Sequence, residues 1–283
     1  MCAKVTMEKQ YFQKKNNKKY NNRKQSTEII FGKNACFGCF QGYCRNVKNR
    51  EIYQIYILQN KFDDLYNKVP KTLRHLVQKC NAHELFSLTH EQDKSQGIAL
   101  KVSSFKFIDL DELISEMEKK YNDNKQNNKT MAIFLLDRVQ DPHNIGNIIR
   151  SSFCFNVHSI ILTEHDTCGI TSTVVRTSAG YSECSLICQV KNVIFAIEKL
   201  KKNNYKVIGF DVNTDVRDGL TEVVKKYSKC VFVFGSEGQG IKDLIKKHCD
   251  IIIKLPMNSD AESLNVANTA AIVGWEIMKR NNQ

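Results

Sequence analysis

The chain has 283 residues, 42% hydrophobic and 25% charged, with a formal net charge of +12. That is enough apolar material for one large or two moderate cores. No run approaches the roughly 18 to 20 apolar residues of a membrane span, and the N-terminus lacks the apolar centre of a secretory signal, so a soluble protein of the cytoplasm is expected.

Residues 1–27 read as a basic arm. Lys4, Lys9, Lys14, Lys15, Lys18, Lys19, Arg23 and Lys24 stand against Glu8 alone, eight minus one or +7, which leaves +5 of the +12 for the body. Two readings of this Asn/Lys/Gln-rich stretch stand: a solvated tail, or an arm that contacts RNA. A single Arg and no amphipathic apolar face argue against an organellar leader.

Residues 28–108 form a first domain. Tyr53–Leu58, Glu84–Leu88 and Gly97–Val102 are strand candidates with helical material between them, which suggests a small α/β sandwich. The eleven cysteines are an odd number, and Cys154, Cys184, Cys188 and Cys230 sit in apolar runs, so reduced thiols are expected rather than a disulfide framework. Cys36-x2-Cys39-x4-Cys44 has a spacing that also occurs at metals, but no second pair completes a site, and the segment from Phe31 to Phe40 reads equally as a packed helix.

A polar stretch from Lys119 to Thr130 lies within the expected linker, residues 109–130. Beyond it, residues 131–283 carry short, wholly apolar runs: Met131–Leu136, Ser159–Leu162, Lys206–Phe210, Cys230–Phe234 and Ile251–Leu255. Each precedes a segment that can form a helix. Strands buried on both faces and alternating with helices predict a parallel sheet covered on both sides, with a ligand site at the carboxyl ends of its strands.

Three of those ends carry polar segments. Asp137 to Arg150 includes Pro142, which ends a strand, and Asn144 and Arg150, about a turn and a half apart on the following helix. Asn144 reads as a helix N-cap, Arg150 as a surface residue, and Asn156 as the left-handed residue that ends the helix. Val231 to Ile241 is a strand opening into a loop with three glycines, which permit sharp turns and close approach to a ligand. It matches neither the dinucleotide fingerprint nor a phosphate loop, and Glu237 at its apex is either a capping carboxylate or a site residue. Ile253 to Gly274 is a strand stopped by Pro256, a polar loop, and a helix rich in small residues with Ser263 as its expected N-cap.

Asp141-Pro-His-Asn-Ile-Gly-x-x-x-Arg150, then Gly235-Ser-Glu-Gly-x-Gly240, then Leu255-Pro-Met with Ser263-Leu-Asn-Val266 resemble, in this order, motifs one to three of the SpoU/TrmH methyltransferases. The resemblance includes Ser178-Ala-Gly180 and spans the C-terminal domain. The N-terminal domain is similar to the ribosomal-protein-like RNA-binding module of RlmB-type enzymes, with Ile30-Phe-Gly near its start and Gln96-Gly-Ile98 near its end. It departs from them at Ser95, where those enzymes usually have His.

The resemblance implies a SPOUT-type α/β fold whose C-terminal segment is threaded into a trefoil knot, an exception to the usual absence of knots. It implies bent S-adenosylmethionine held by Gly235, Leu255 and Leu264, no metal, and a homodimer. The reaction implied is methylation of an RNA ribose 2′-hydroxyl, with a guanosine of 23S ribosomal RNA as the expected target. Transfer RNA or another ribosomal loop is the alternative target, and a non-catalytic RNA-binding ribosome-assembly factor the alternative class. Arg150 takes the proton-handling role, with Asn144, Glu237, Ser263 and Asn265 orienting it, the ribose or the cofactor. Guanidinium is effectively always protonated, so two versions of Arg150 stand: a base in a special environment, or a cation clamping an RNA phosphate.

Overall fold

The computed structural model describes residues 27–47, 49–90, 94–124, 129–212 and 219–283. The expected basic arm lies outside them, apart from Thr27, which opens the first strand.

The N-terminal elements run β1 (Thr27–Phe31), α1 (Lys33–Cys44), β2 (Ile52–Leu58), α2 (Phe62–Tyr66), β3 (Val77–Cys80), α3 (Ala82–Thr89) and β4 (Ile98–Ser103). The sheet order is β1-β4-β2-β3, with β4 antiparallel to both neighbours and β3 parallel to β2. Two strand expectations hold and one does not. Glu84–Leu88 lies in helix α3, because Asn81 and Glu84 form a capping box: the Asn81 side chain accepts from the Glu84 amide at 2.9 Å and Glu84 accepts from the Asn81 amide at 2.8 Å. The cysteine-rich segment is helix α1, with Cys36 and Cys39 buried in the core.

The connector is not a bare linker. Leu110–Asn124 is helix α4, and Leu110, Leu113, Ile114 and Met117 at helical spacing are buried against Ile133, Leu135 and Ile161 of the second sheet. Its polar end, which starts at Lys119, is the exposed continuation of that amphipathic helix.

The second sheet comprises β5 (Met131–Leu136), β6 (Ser159–Thr163), β7 (Leu186–Val190), β8 (Lys206–Phe210), β9 (Lys229–Phe234) and β10 (Ile251–Ile253). The helices between and after them are α5 (Pro142–Cys154), α6 (Ser172–Thr177), α7 (Val193–Lys202), α8 (Leu220–Lys226), α9 (Asp243–His248) and α10 (Val266–Asn281). All strands are parallel, in the order β10-β8-β9-β5-β6-β7. Side chains alternate between two cores, as the two-residue period of a strand requires. Ala132, Phe134, Leu136, Phe232 and Phe234 meet α5 and α10 through Ile145, Ile148, Ile149 and Val273. Ile133, Leu135, Val231 and Val233 meet α4 and α7 through Leu113, Ala196 and Leu200.

The two domains touch directly. Arg50, beside β2, is buried and donates to Glu28 at 2.8 Å, the Ser103 carbonyl at 2.7 Å, the Ile170 carbonyl at 2.8 Å and Glu183 at 3.3 Å. Gly38 of α1 lies so close to Gly180 that a Cβ there would fall 2.3 Å from the Gly180 oxygen.

Candidate active site

Successive strands after β5 are added on one side, while β9, β8 and β10 lie on the other, so the order reverses between β5 and β9. In a parallel sheet, a reversal opens a crevice at the carboxyl ends. The three polar segments leave from those ends: residues 137–141 after β5, 235–242 after β9 and 254–265 after β10.

The glycine loop is closed on itself. Gly240 N–H donates to the Ser236 carbonyl at 2.9 Å, and a Cβ on Gly235 would lie 2.0 Å from the Gly240 carbonyl carbon. No side chain fits between those backbones. Arg138, at φ 56°, straps this loop to the end of β5: its guanidinium donates to Asp137 at 3.0 Å, to Gln239 at 3.1 Å and to the Gly240 carbonyl at 3.3 Å. The sequence reading missed Arg138. Its position directly after a buried strand and a buried Asp was the available signal.

A hydrogen-bonded chain joins the three motifs. Asn265 is the N-cap of α10, its side-chain oxygen accepting from the amides of Ala267 at 2.8 Å and Asn268 at 3.4 Å. Two backbone donors fix which end of that amide is oxygen, so its Nδ2 donates outward, to Asn144 Oδ1 at 3.1 Å. The same logic turns the Asn144 Nδ2 to Glu237, whose Oε1 accepts at 2.7 Å. Two capping expectations are thereby corrected. Asp141 caps α5, accepting from His143 N–H at 2.8 Å with Pro142 in the first turn, which frees the buried Asn144 for the relay. Asn265 rather than Ser263 caps α10, and Ser263 stands exposed in the preceding loop.

Beside this relay lies a cleft of about 390 Å³, within the roughly 300–1,000 Å³ usual for small-molecule sites. Gly235, Glu237, Leu255, Ser263, Leu264 and Asn265 all line it. Asn144 reaches it through its two hydrogen bonds. Lys246 and Asp211, which the sequence reading also missed, pair on its wall, and the hydrogen bond to Asp211 raises the Lys246 amine above its usual range. The Ser236 hydroxyl, also on the wall, is buried without a hydrogen-bond partner among the described residues.

Arg150 is not brought to the cleft of its own chain. It lies on α5 six residues beyond Asn144, which turns it about 120° round the helix, and it is exposed. Among the described residues it makes no ion pair or hydrogen bond. Helix α10, which packs on α5, exposes Ile272 and Trp275, the latter 54% accessible and edge-on to Phe155 at 5.9 Å. Among the described residues, no cluster of three His, Cys, Asp or Glu could hold a metal, and no helix is long and apolar enough to cross a membrane.

Comparison with known proteins bears on the family and the fold. Residues 131–275 match the model of the SpoU rRNA Methylase family. The chain is 27% identical over 269 residues to a Bacillus subtilis protein named for the TrmH family of tRNA/rRNA methyltransferases, covering 91% of this chain and 98% of that one. It is 30% identical over 229 residues to a TrmH-family relative from Staphylococcus haemolyticus, covering 80% and 83%. Its fold resembles that of the SpoU methyltransferase AviRb from Streptomyces viridochromogenes in complex with AdoMet, at TM-score 0.69 and 17% identity, covering 93% and 95%. A buried parallel sheet whose three polar strand ends are joined by the Asn265–Asn144–Glu237 relay, together with the match over residues 131–275, makes this chain a member of the SpoU rRNA Methylase family.

Proposed function

We propose that the chain transfers a methyl group from S-adenosylmethionine to a ribose 2′-hydroxyl in RNA, with a guanosine of 23S ribosomal RNA as the target. The observation that carries this reading is the relay from Asn265 through Asn144 to Glu237 beside a glycine-walled cleft. The residues present fit the cofactor. Gly238 and Gly240, with nothing within 4 Å of where a Cβ would stand, leave the loop open to close approach, Leu255 and Leu264 supply apolar walls, and the unpartnered Ser236 hydroxyl offers a polar contact.

The bound cofactor supplies an electrophilic methyl group on a sulfonium. The protein's work is alignment, loss of the hydroxyl proton and exclusion of water. In this reading Glu237, oriented by Asn144, accepts a hydrogen bond from the ribose hydroxyl. Ser263, exposed on the cleft wall, would hold the ribose. Arg150, exposed on α5, acts as the clamp on an RNA phosphate.

The reading includes a homodimer seated on α5 and α10. Exposed Ile272 and Trp275 form an apolar patch there, and a second copy would carry Arg150 toward the partner's cleft. It also includes a trefoil knot over residues 254–283, supported by the passage of that segment from the sheet edge at β10 back to α10, which packs on α5 and α8. The ribosomal-RNA target rests on the first domain as an RNA module, held against the second by buried Arg50.

The test incubates the purified full chain with labelled S-adenosylmethionine and, separately, 23S ribosomal RNA and transfer RNA, then maps 2′-O-methyl positions. Label at one guanosine ribose of the former is expected. Label on transfer RNA moves the target, and failure to bind the cofactor revives the non-catalytic assembly factor. Arg150→Lys, folded and dimeric, is expected to be slow. A normal rate removes the specific role of Arg150.

A further inference from the structure

A second cavity, of about 520 Å³, opens at the other end of the parallel sheet. Met131 at the start of β5, His158 just before β6 and Leu186 at the start of β7 line it, whereas the cleft lies at the carboxyl ends. Six residues of strand place the two openings roughly 20 Å apart.

Its charge is one-sided. Arg45 enters from the end of α1 in the first domain, Lys120 from α4, and Lys129 from the lead into β5. Among the described residues, no carboxylate lines the cavity. Of the nearby acids of α4, Glu116 pairs with Lys119 at 2.7 Å and also acts on Lys120, while Glu118 pairs with Lys229. Neither Arg45 nor Lys129 has an acidic partner among the described residues. Three cations from separate parts of the chain repel one another when gathered in one concave surface, and a bound anion relieves that repulsion.

The remaining lining suits a nucleic acid. Arg45 sits over the Phe153 ring at 5.5 Å, and that ring stacks on Tyr181 at 4.2 Å, which holds the guanidinium in place. Asn156 and Asn282 add amides that can donate hydrogen bonds. Burial and the nearby Lys120 push His158 down to about 4, so it stays neutral at physiological pH, its Nδ1 accepting from the Ala132 amide at 3.5 Å.

We propose that this cavity is a second RNA contact, which takes backbone phosphates of the substrate strand through Arg45, Lys120 and Lys129 and sets how the RNA runs across the seam between the domains. The proposal rests on the RNA-methyltransferase reading but concerns a different surface from the cleft.

The test measures filter binding of 23S ribosomal RNA by the full chain over a series of KCl concentrations. In Arg45→Gln/Lys129→Gln, loss of two phosphate contacts makes the slope of log affinity against log salt shallower by about 1.4 to 1.8. Cofactor affinity, read by calorimetry, stays unchanged. Lys191→Gln/Lys202→Gln removes the same charge from exposed positions elsewhere and is expected to leave the slope nearly as it was. An unchanged slope in the first variant, or equal losses in both, overturns the proposal. So does a cavity that binds pyrophosphate in the wild type while the RNA slope ignores the mutations, since the ligand is then a free phosphate compound. If the wild type binds no S-adenosylmethionine, it is the functional reading that has failed.

Discussion

Asn144→Asp isolates the contact between motifs one and two. Aspartate has the same shape, and its oxygen can still accept from Asn265, so the bond at 3.1 Å survives. The bond at 2.7 Å to Glu237 becomes two carboxylate oxygens facing each other. Two charges at that separation repel by about 1.5 kcal/mol in water and about 6 kcal/mol at an effective dielectric of 20. Glu237 is exposed, so the lower part of that range applies, roughly 2 kcal/mol, or about 4 to 8 °C in melting temperature. The pH dependence has a fixed sign. Repulsion lifts the folded-state pKa of the pair above its unfolded value, so the deficit is absent when one carboxyl is protonated and grows as pH rises through the lifted pKa. Thermal melts and cofactor calorimetry from pH 4.5 to 8 would check this. A variant that melts like the wild type at pH 8, or loses stability on acidification relative to it, refutes the relay.

Gly235→Ala drives a methyl group into the Gly240 backbone, and overpacking of this kind costs about 1 to 3 kcal/mol, roughly 5- to 150-fold in cofactor affinity by calorimetry. Gly169→Ala, which meets nothing within 4 Å and lies outside the left-handed region, serves as the comparison and should lose far less. Arg50→Met leaves Glu183 buried without its cation, at a cost of about 3 to 5 kcal/mol. Burial already holds the Glu183 carboxyl above its usual range while Arg50 pulls it back, so the melting gap from the wild type should be smallest in acid, where only the bonds to the Ser103 and Ile170 carbonyls are lost, and widen as pH rises through the Glu183 pKa. A gap independent of pH would show that Arg50 contributes packing rather than charge.

The central strands were legible because burial on both faces leaves a wholly apolar run; Met131–Leu136 and Lys206–Phe210 are observed with the predicted limits. Edge strands leave weaker marks. Val77–Cys80 has Gln78 and Lys79 in the middle, Thr27–Phe31 pairs with one strand, and Leu186–Val190 with one strand and a single bridge from Ile108, so none was foreseen. Glu84–Leu88 misled because mixed apolar and polar residues fit a strand until the Asn81 and Glu84 cap is recognised. At the site, residue identities were visible and their partnerships were not. Asn144 and Ser263 looked like caps because Asn and Ser favour that role, yet Asp141 three residues earlier and Asn265 two residues later hold the positions where the helices begin. The Arg138 strap depends on a left-handed backbone and on a loop a hundred residues away, neither of which has a local signature.

The geometry of α5 raises the question of which cleft Arg150 serves. Asn144 is held inward by Asn265 and Glu237, and a rigid helix then points Arg150 about 120° away, to an exposed face of α5. No side-chain rotation of Arg150 alters which face of the helix it leaves from. If two copies pair on that face, each cleft is completed by the partner's arginine, and two different damaged subunits can complement one another. An Arg150→Ala subunit keeps a sound cleft; a Gly235→Ala subunit keeps a sound arginine. Mixed, dissociated and reassociated in equal amounts, half the dimers are hybrids with one intact site of two, which gives about a quarter of wild-type activity for random two-fold pairing. Each variant alone gives almost none. If Arg150 instead serves the cleft of its own chain, the hybrid contains no intact site and the mixture stays as inactive as its parts, a result that would place the arginine back on its own subunit.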